Sequence, residues 1–318
     1  MSDSPTIGVV VVTLNAANHL RQCLGPVFRS SLKPRVLVAD SSSEDGTVEL
    51  AKQMGADVLH VRDFNHGATR ELARKHIGTD VVVMMTQDAY PEDETFLDRL
   101  VAPLAGGRAA VSYARQIPRR GAGPVEAFPR AFNYPPVSEI RSIDDVSAKG
   151  SFTFFCSNAC AAWVNRSLDE IGGFSPVLTH EDTFAVAKLL SCGHRVAYVA
   201  DAVVRHSHRY SFEDEFRRHF DAGWERARHR QLFGNLRDEG RGAEFAREFL
   251  KHIATRKPWL LPHACTNLVA KYSGYRCGEM ALLWSPSICL RLSGQPYFWT
   301  SPHRRSVPDT GAARTAER

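Results

Sequence analysis

The rhythm of apolar positions changes several times along this chain, and each change predicts an element. Residues 7–14, IGVVVVTL, form a nearly unbroken run of β-branched side chains after a polar start. A run with no polar alternation suits a strand covered on both faces, as in a parallel sheet. Residues 18–30 then place Leu20, Cys23, Leu24 and Val27 on one helical face. The alternation continues with a strand over 35–39 ending at Asp40, a helix over 47–54 and a strand over 57–61. A helix over 67–76 and a strand over 81–85 follow, the latter ending just before Gln87 and Asp88. Strands alternating with helices in this way predict βαβ units and a doubly wound sheet.

The pattern then loosens. Residues 106–136 are rich in Gly, Pro and Arg and predict a loop region with one strand near 109–113. Residues 151–165 read as a strand packed close to a ligand. Residues 167–171 read as a short helix stopped by Gly172 and Gly173. A helix over 182–190 and an edge strand over 196–199 complete this part. From 211 the chain reads as mostly helical to about 271. Phe212, Phe216, Phe220 and Trp224 recur every four residues and share one stripe, and Phe245, Phe249 and Ile253 repeat the device. Packing on the rest of the fold is the favoured role for that stripe. Arg217, Arg218, Arg226, Arg228 and Arg230 would supply a basic outer face for membrane phosphates. Past 302 the chain is polar and predicts disorder. No internal repeat is present.

Composition narrows the class. With 318 residues, 43% of them hydrophobic, the chain can bury a full core. A net charge of +5 suits an anionic ligand such as a nucleotide diphosphate, or an anionic membrane face, and does not by itself imply nucleic acid. Seven scattered cysteines with no CxxC pair argue against disulfide and zinc frameworks and for a reducing compartment. Residues 1–5 do not read as a secretory leader. The expected location is the cytoplasm, with peripheral contact at the inner face of the cell membrane left open.

Candidate chemistry collects at the strand ends. Thr13 and Asn15 end the first strand, DSSSEDGT (40–47) follows the second, Asn65-His66-Gly67 the third and Gln87-Asp88 the fourth. Each alone is explained by helix capping and turns. Four on one edge of an open α/β sheet favour a ligand site. Neither GxGxxG nor GxxxxGK[ST] occurs, which argues against dinucleotide and P-loop binding. Asp88 could hold a hard divalent cation that bridges phosphates. Glu181 and Asp182 open a helix, where the dipole favours the anion that a general base requires. His206 and His208 lie at i and i+2, on one side of an extended chain, and could complete a metal site or meet a phosphate.

In this order, VVVVTLN, DSSSEDGT, TQDAYP, CSNACAAWVNRSLDEIGGF and HEDTFAVAKLLSCGHRVAYVADAVVRHSH resemble glycosyltransferase family 2. The resemblance spans about residues 6–300. FNHGATR with TQDAYP is similar to the bacterial rhamnosyltransferases of that family, which use dTDP-L-rhamnose. The resemblance implies an α/β fold of GT-A type, a Rossmann-like mixed sheet flanked by helices with a C-terminal helical extension. It implies a catalytic domain over 1–210, with 6–105 binding the nucleotide sugar and 106–210 carrying the acceptor side and the base. A helical region over 211–302 and a tail over 303–318 follow.

It further implies that Thr13, Asn15, Asp40, Ser42, Arg70, Gln87 and Asp88 bind the nucleotide sugar. Asp182 would be the base, with Glu181 as second choice. Asn158 and Trp163 would line the acceptor or sugar pocket. Asp88 with His206 or His208 would hold Mg²⁺ or Mn²⁺. Two departures stand out: the DxD-like segment is Thr86-Gln87-Asp88, with one carboxylate, and Glu71 stands where related rhamnosyltransferases carry Asn. The implied reaction is inverting transfer, most simply of L-rhamnose, to a hydroxyl of a glycan or lipid-linked acceptor in cell-surface polysaccharide synthesis. A UDP-hexose or GDP-sugar donor, or a nucleotide-sugar-binding protein without catalysis, are the alternatives.

Overall fold

The computed structural model describes residues 5–233 and 239–304. Its first part alternates β1 (Ile7–Thr13), α1 (Ala17–Phe28), β2 (Arg35–Asp40), α2 (Thr47–Gln53), β3 (Asp57–His60), α3 (His66–Ile77) and β4 (Val81–Thr86). Then come β5 (Tyr90–Pro91), α4 (Phe96–Ala105), β6 (Val111–Ile117), α5 (Pro124–Asn133), β7 (Glu139–Arg141) and α6 (Val146–Lys149). They are followed by β8 (Cys160–Val164), α7 (Asn165–Glu170), α8 (Glu181–Ser191) and β9 (Val196–Arg205). Five helices follow: α9 (Phe212–Arg228), α10 (Glu239–Arg256), α11 (Leu261–Met280), α12 (Pro286–Leu292) and α13 (Pro296–Thr300).

The sheet runs β3-β2-β1-β4-β8-β6-β9-β5, with β7 also on β9. β1 to β4 are parallel, and β8 lies antiparallel between β4 and β6, so the sheet is mixed. The all-apolar strands meet helices on both faces: Val10 and Met84 face one core, Val9, Val11 and Met85 the other.

Three expectations need correction. Residues 106–136 are not one loop, because α5 occupies Pro124–Asn133. Pro124 sits in the first turn, where its missing N–H is harmless, and Phe128 of this helix packs with Phe249 and Ile253 of α10. The strand expected over 151–165 is confined to β8, preceded by a 3₁₀ turn over Gly150–Phe154. Finally, β9 is no four-residue edge strand. It pairs with β6 on one side and with β5 and β7 on the other. Its register jumps from Ala114↔Val199 to Arg115↔Val203, so Ala200–Ala202 bulge out and disguise one long strand as a short one.

The helical region continues past 271 to Thr300. Phe220 and Trp224 are buried with Phe298 and Trp299, as the packing role requires. Of the five arginines expected on an outer basic face, Arg218 and Arg230 are exposed and Arg217, Arg226 and Arg228 are half-buried. Arg217 pairs with Glu213 at 2.7 Å, while Arg218, Arg226 and Arg228 lie over the rings of Tyr210, Phe233 and Trp224. The tail expected to be disordered falls almost wholly outside the described residues.

α9 and α11 touch backbone to backbone. A Cβ added to Gly223 would lie 2.1 Å from the Tyr275 carbonyl oxygen, and one on Gly278 2.1 Å from that of Phe220. Alanine normally gains about 1 kcal/mol over glycine in a helix. Here overpacking outweighs that gain, because the obstacle is backbone and cannot rotate away. Gly278→Ala is therefore expected to cost about 1–3 kcal/mol net, read as a lower melting temperature. An unchanged or higher melting temperature would show that the helices can part freely.

Candidate active site

The carboxyl ends of β1, β2 and β4 lie side by side, and Thr13 and Asp40 are register partners. Asp40 is buried and fully engaged: it accepts from Thr13 Oγ1 at 2.9 Å, from Ser43 N at 2.9 Å and from Ser43 Oγ at 2.6 Å. Asn15 accepts from Glu44 N at 3.0 Å, and its own N–H donates to Ser43 Oγ at 2.8 Å. Thr13, Asn15 and Asp40 thus fasten the 41–46 loop to the end of β1. Asn15 and Ser42 are exposed, with φ of 51° and 69°. Gln87 is a staple: its side-chain oxygen accepts from Leu14 N at 2.8 Å and its amide donates to Leu14 O at 3.1 Å. Gln87 therefore ties the end of β4 to the end of β1. Ser41 Oγ is buried here with no partner among the described residues.

Asp88, just past β4, meets His206 and His208, which leave the end of β9. His206 Nε2 is 3.5 Å from one Asp88 oxygen, His208 Nε2 is 3.3 Å from the other, and the two Nε2 atoms are 3.0 Å apart. All three ligand atoms lie within 4.8 Å of one another. Gln116 fixes the ring of His206. Its amide nitrogen donates to Ser157 Oγ at 2.8 Å, so its oxygen accepts from His206 Nδ1 at 2.9 Å. With the proton on Nδ1, the Nε2 lone pair of His206 is the one turned toward Asp88, the usual second-sphere arrangement of a ligating histidine. Burial, followed by like charge from Arg130, pushes His206 down to about 3 despite Asp88, and burial also lowers His208. Two neutral imidazoles and one carboxylate converging on a point suit a divalent cation. Gln116 is buried in β6 and carries no motif, so no sequence signal marks it.

On the other side of the cleft, α8 opens with Glu181 and Asp182. The FNHGATR segment builds the platform beneath them. Asn65 caps α3 by accepting from Ala68 N at 3.0 Å and donates to Val177 O at 2.8 Å. Gly67 is obligatory, since a Cβ there would lie 1.9 Å from Ser175 O. This close approach delivers Arg70 Nη1 to Glu181 Oε1 at 2.7 Å, with both side chains buried. Arg70 is thereby spent on Glu181. Glu71, the other departure, is bound by Arg74 at 2.7 Å and by Phe174 N at 2.9 Å, and belongs to the scaffold.

Asn158 clamps the acidic pair. Its side-chain amide donates to Glu181 Oε1 at 3.0 Å and its backbone N–H to Asp182 Oδ2 at 2.9 Å. Its own oxygen accepts from Trp163 Nε1 at 2.8 Å. Trp163 is wholly buried in the core. Asn158, also buried, thus links the core to the acidic pair.

The two carboxylates are driven apart. Against burial, Arg70 and then His66 hold Glu181 below the usual carboxylate range. Burial, then the Glu181 charge, raises Asp182 to about 7. A carboxyl poised near neutrality can accept a proton at neutral pH, whereas one locked to an arginine cannot. Asp182 Oδ1 lies 3.4 Å from Thr183 Oγ1. Thr183 borders a cavity of about 210 Å³ walled by Phe152, Phe184, Phe233, Tyr275 and Arg241. The C-terminal helices thus help to build the space beside Asp182. A larger cavity, about 410 Å³ between α4, β7 and β9, contains none of these residues.

The sequence pattern described as glycosyl transferase family 2 matches residues 8–172. The O-antigen chain rhamnosyltransferase RfbN of Salmonella typhimurium is 33% identical over 93% of this chain and 96% of its own length. The O-antigen chain rhamnosyltransferase WbaN of Salmonella anatum is 30% identical with the same coverage. Among solved structures, the mannosyltransferase PcManGT from Pyrobaculum calidifontis, in complex with GDP-Man and Mn²⁺, superposes with a TM-score of 0.55 at 20% identity. That match covers 94% of this chain and 84% of the other. S. aureus TarS 1-349 with UDP-GlcNAc gives 0.51 at 14% identity, covering 87% of this chain and 91% of TarS 1-349.

Proposed function

The chain belongs to glycosyl transferase family 2 and is a glycosyltransferase of GT-A fold, and we propose that it moves L-rhamnose from dTDP-L-rhamnose to a hydroxyl of a glycan or lipid-linked acceptor, with inversion. The observation that carries the mechanism is the acidic pair at the start of α8: Glu181 is locked to Arg70 at 2.7 Å, while the Asp182 carboxylate is held by the N–H groups of Asn158 and Thr183. The donor assignment rests on the two rhamnosyltransferase relatives, which align over nearly the whole chain.

In this reading, residues 1–210 bind the donor and supply the base, and the helices over 211–302 close the acceptor side. The nucleotide lies along the strand ends near Asn15, Ser41 and Ser42. Asp88, His206 and His208 would hold Mg²⁺ or Mn²⁺, which when bound offsets the charge of the nucleotide diphosphate. Asp182, oriented by the N–H groups of Asn158 and Thr183, takes the proton of the acceptor hydroxyl. The hydroxyl oxygen forms its bond to the anomeric carbon as the bond to the diphosphate oxygen breaks on the opposite face. Arg70 keeps Glu181 ionised, and that charge in turn keeps Asp182 basic enough to accept the proton.

Nucleotide release measured across dTDP-L-rhamnose, UDP-glucose, UDP-galactose, UDP-N-acetylglucosamine and GDP-mannose tests the donor. Preference for dTDP-L-rhamnose is expected; preference for any other rejects the donor and leaves the family intact. Calorimetry of dTDP binding tests the cation site. Binding should strengthen with Mn²⁺ in the wild type and lose that dependence in Asp88→Asn. Metal-indifferent binding in the wild type would remove Asp88, His206 and His208 from this role.

A further inference from the structure

α11 is apolar on two opposite sides. Its inner side carries Ala264, Asn267, Gly274 and Gly278, all buried. Opposite them, Cys265, Val269, Tyr272, Arg276 and Met280 are spaced by four, three, four and four residues, so they form one outward stripe. Val269, Tyr272 and Met280 are each about two-thirds exposed or more. At the stripe's two ends stand Trp259, at 71%, and Leu283, at 96%. A solvated helix face ordinarily carries Glu, Lys and Gln at such positions. Leaving five large apolar side chains open, three on α11 and two in the turns that flank it, is costly unless something covers them.

Charge indicates what covers them. Residues 256–304 contain six Lys and Arg against the single acid Glu279. Arg256, Lys257 and Arg276 are exposed, and Glu279 is held by Arg276 at 2.6 Å. A second copy pairing through this face would lay Arg256 and Lys257 against their own kind, with Glu279, the one acid of residues 256–304, already held by Arg276. A bilayer rich in anionic lipid offers phosphates to the cations and an interfacial zone to Trp, Tyr and aliphatic side chains. No helix among the described residues is long and apolar enough to cross a membrane, so the contact would lie along the surface.

We propose that the outward stripe of α11, with Trp259 and Leu283 at its ends, is the face by which this protein sits on an anionic bilayer. The seat does not depend on the donor or on the base. It would hold the cleft where an acceptor carried on a lipid is presented.

Flotation with vesicles of phosphatidylethanolamine and phosphatidylglycerol, against vesicles of phosphatidylcholine alone, tests the proposal. The wild type should float with the anionic vesicles, more weakly as salt is added, and stay in solution with phosphatidylcholine. The triple variant Trp259→Ser, Tyr272→Ser, Leu283→Ser should bind at least about tenfold more weakly, given the apolar area removed. It should keep the wild-type melting temperature and dTDP affinity, which shows that the loss is not misfolding or a failed donor site. Three outcomes overturn the proposal: no flotation of the wild type, undiminished binding by the folded variant, or a wild-type dimer that the variant dissolves. The last would assign the face to a second copy.

Discussion

Asp182→Asn is expected to cut turnover by about 10²–10⁴-fold, the usual contribution of a general base, with dTDP affinity nearly unchanged. The amide keeps the shape of the carboxylate and its oxygen can still accept from Asn158 N, but its NH₂ then faces Thr183 N, which the second carboxylate oxygen accepts from in the wild type. A melting curve of the variant must therefore accompany the turnover measurement. What disappears is the ability to take a proton. The wild-type pH profile carries an independent signature. Asp182 lies near 7, raised by burial and then by Glu181. Below that pH it is protonated and cannot act, so kcat should climb with pH and level off above about 7. The usual carboxylate range would put that rise near pH 4. A profile flat through neutrality, or a nearly active Asp182→Asn, would place the base elsewhere.

Glu181→Gln should act mainly on stability. Arg70 and Glu181 are almost wholly buried, 2.7 Å apart. Removing one charge of such a pair leaves the other without compensation, at about 3–5 kcal/mol. A drop of several degrees in melting temperature is expected. Replacing both, as in Arg70→Leu with Glu181→Leu, should recover much of the loss, because no lone charge remains. The folded Glu181→Gln protein has a second signature. Without the Glu181 charge, Asp182 is less strongly raised, so the rise of kcat should move to lower pH. A variant that melts like the wild type yet has no turnover would reverse the roles of the two acids.

The first four strands were legible because their patterns are local. The β-branched run over 9–12 suits a strand covered on both faces, and Leu20, Cys23, Leu24 and Val27 suit one helical face. β9 was not legible as one strand, since the bulge at Ala200–Ala202 is defined only by its partner β6. α5 was hidden by its prolines, although one of them opens the helix.

The site was legible as a neighbourhood more than as a set of contacts. The strand ends and the spacing of His206 and His208 pointed to residues that the fold brings together. The sequence could not distinguish a residue that faces a ligand from one that braces such a residue. Gln87 holds Leu14, Arg70 holds Glu181, and Asn158 holds both acids, contacts that exist only once the chain is folded. Gln116 escaped notice because its importance exists only through the ring of His206 across the sheet.

The crystal structure of the Asp182→Asn protein with dTDP-L-rhamnose and Mn²⁺ tests the central claim most directly. The account predicts the diphosphate at Asp88, His206 and His208, the nucleoside along the strand ends, and the open face of the anomeric carbon turned toward residue 182. A sugar bound with that face turned away from residue 182, or a diphosphate bound apart from Asp88, would contradict it.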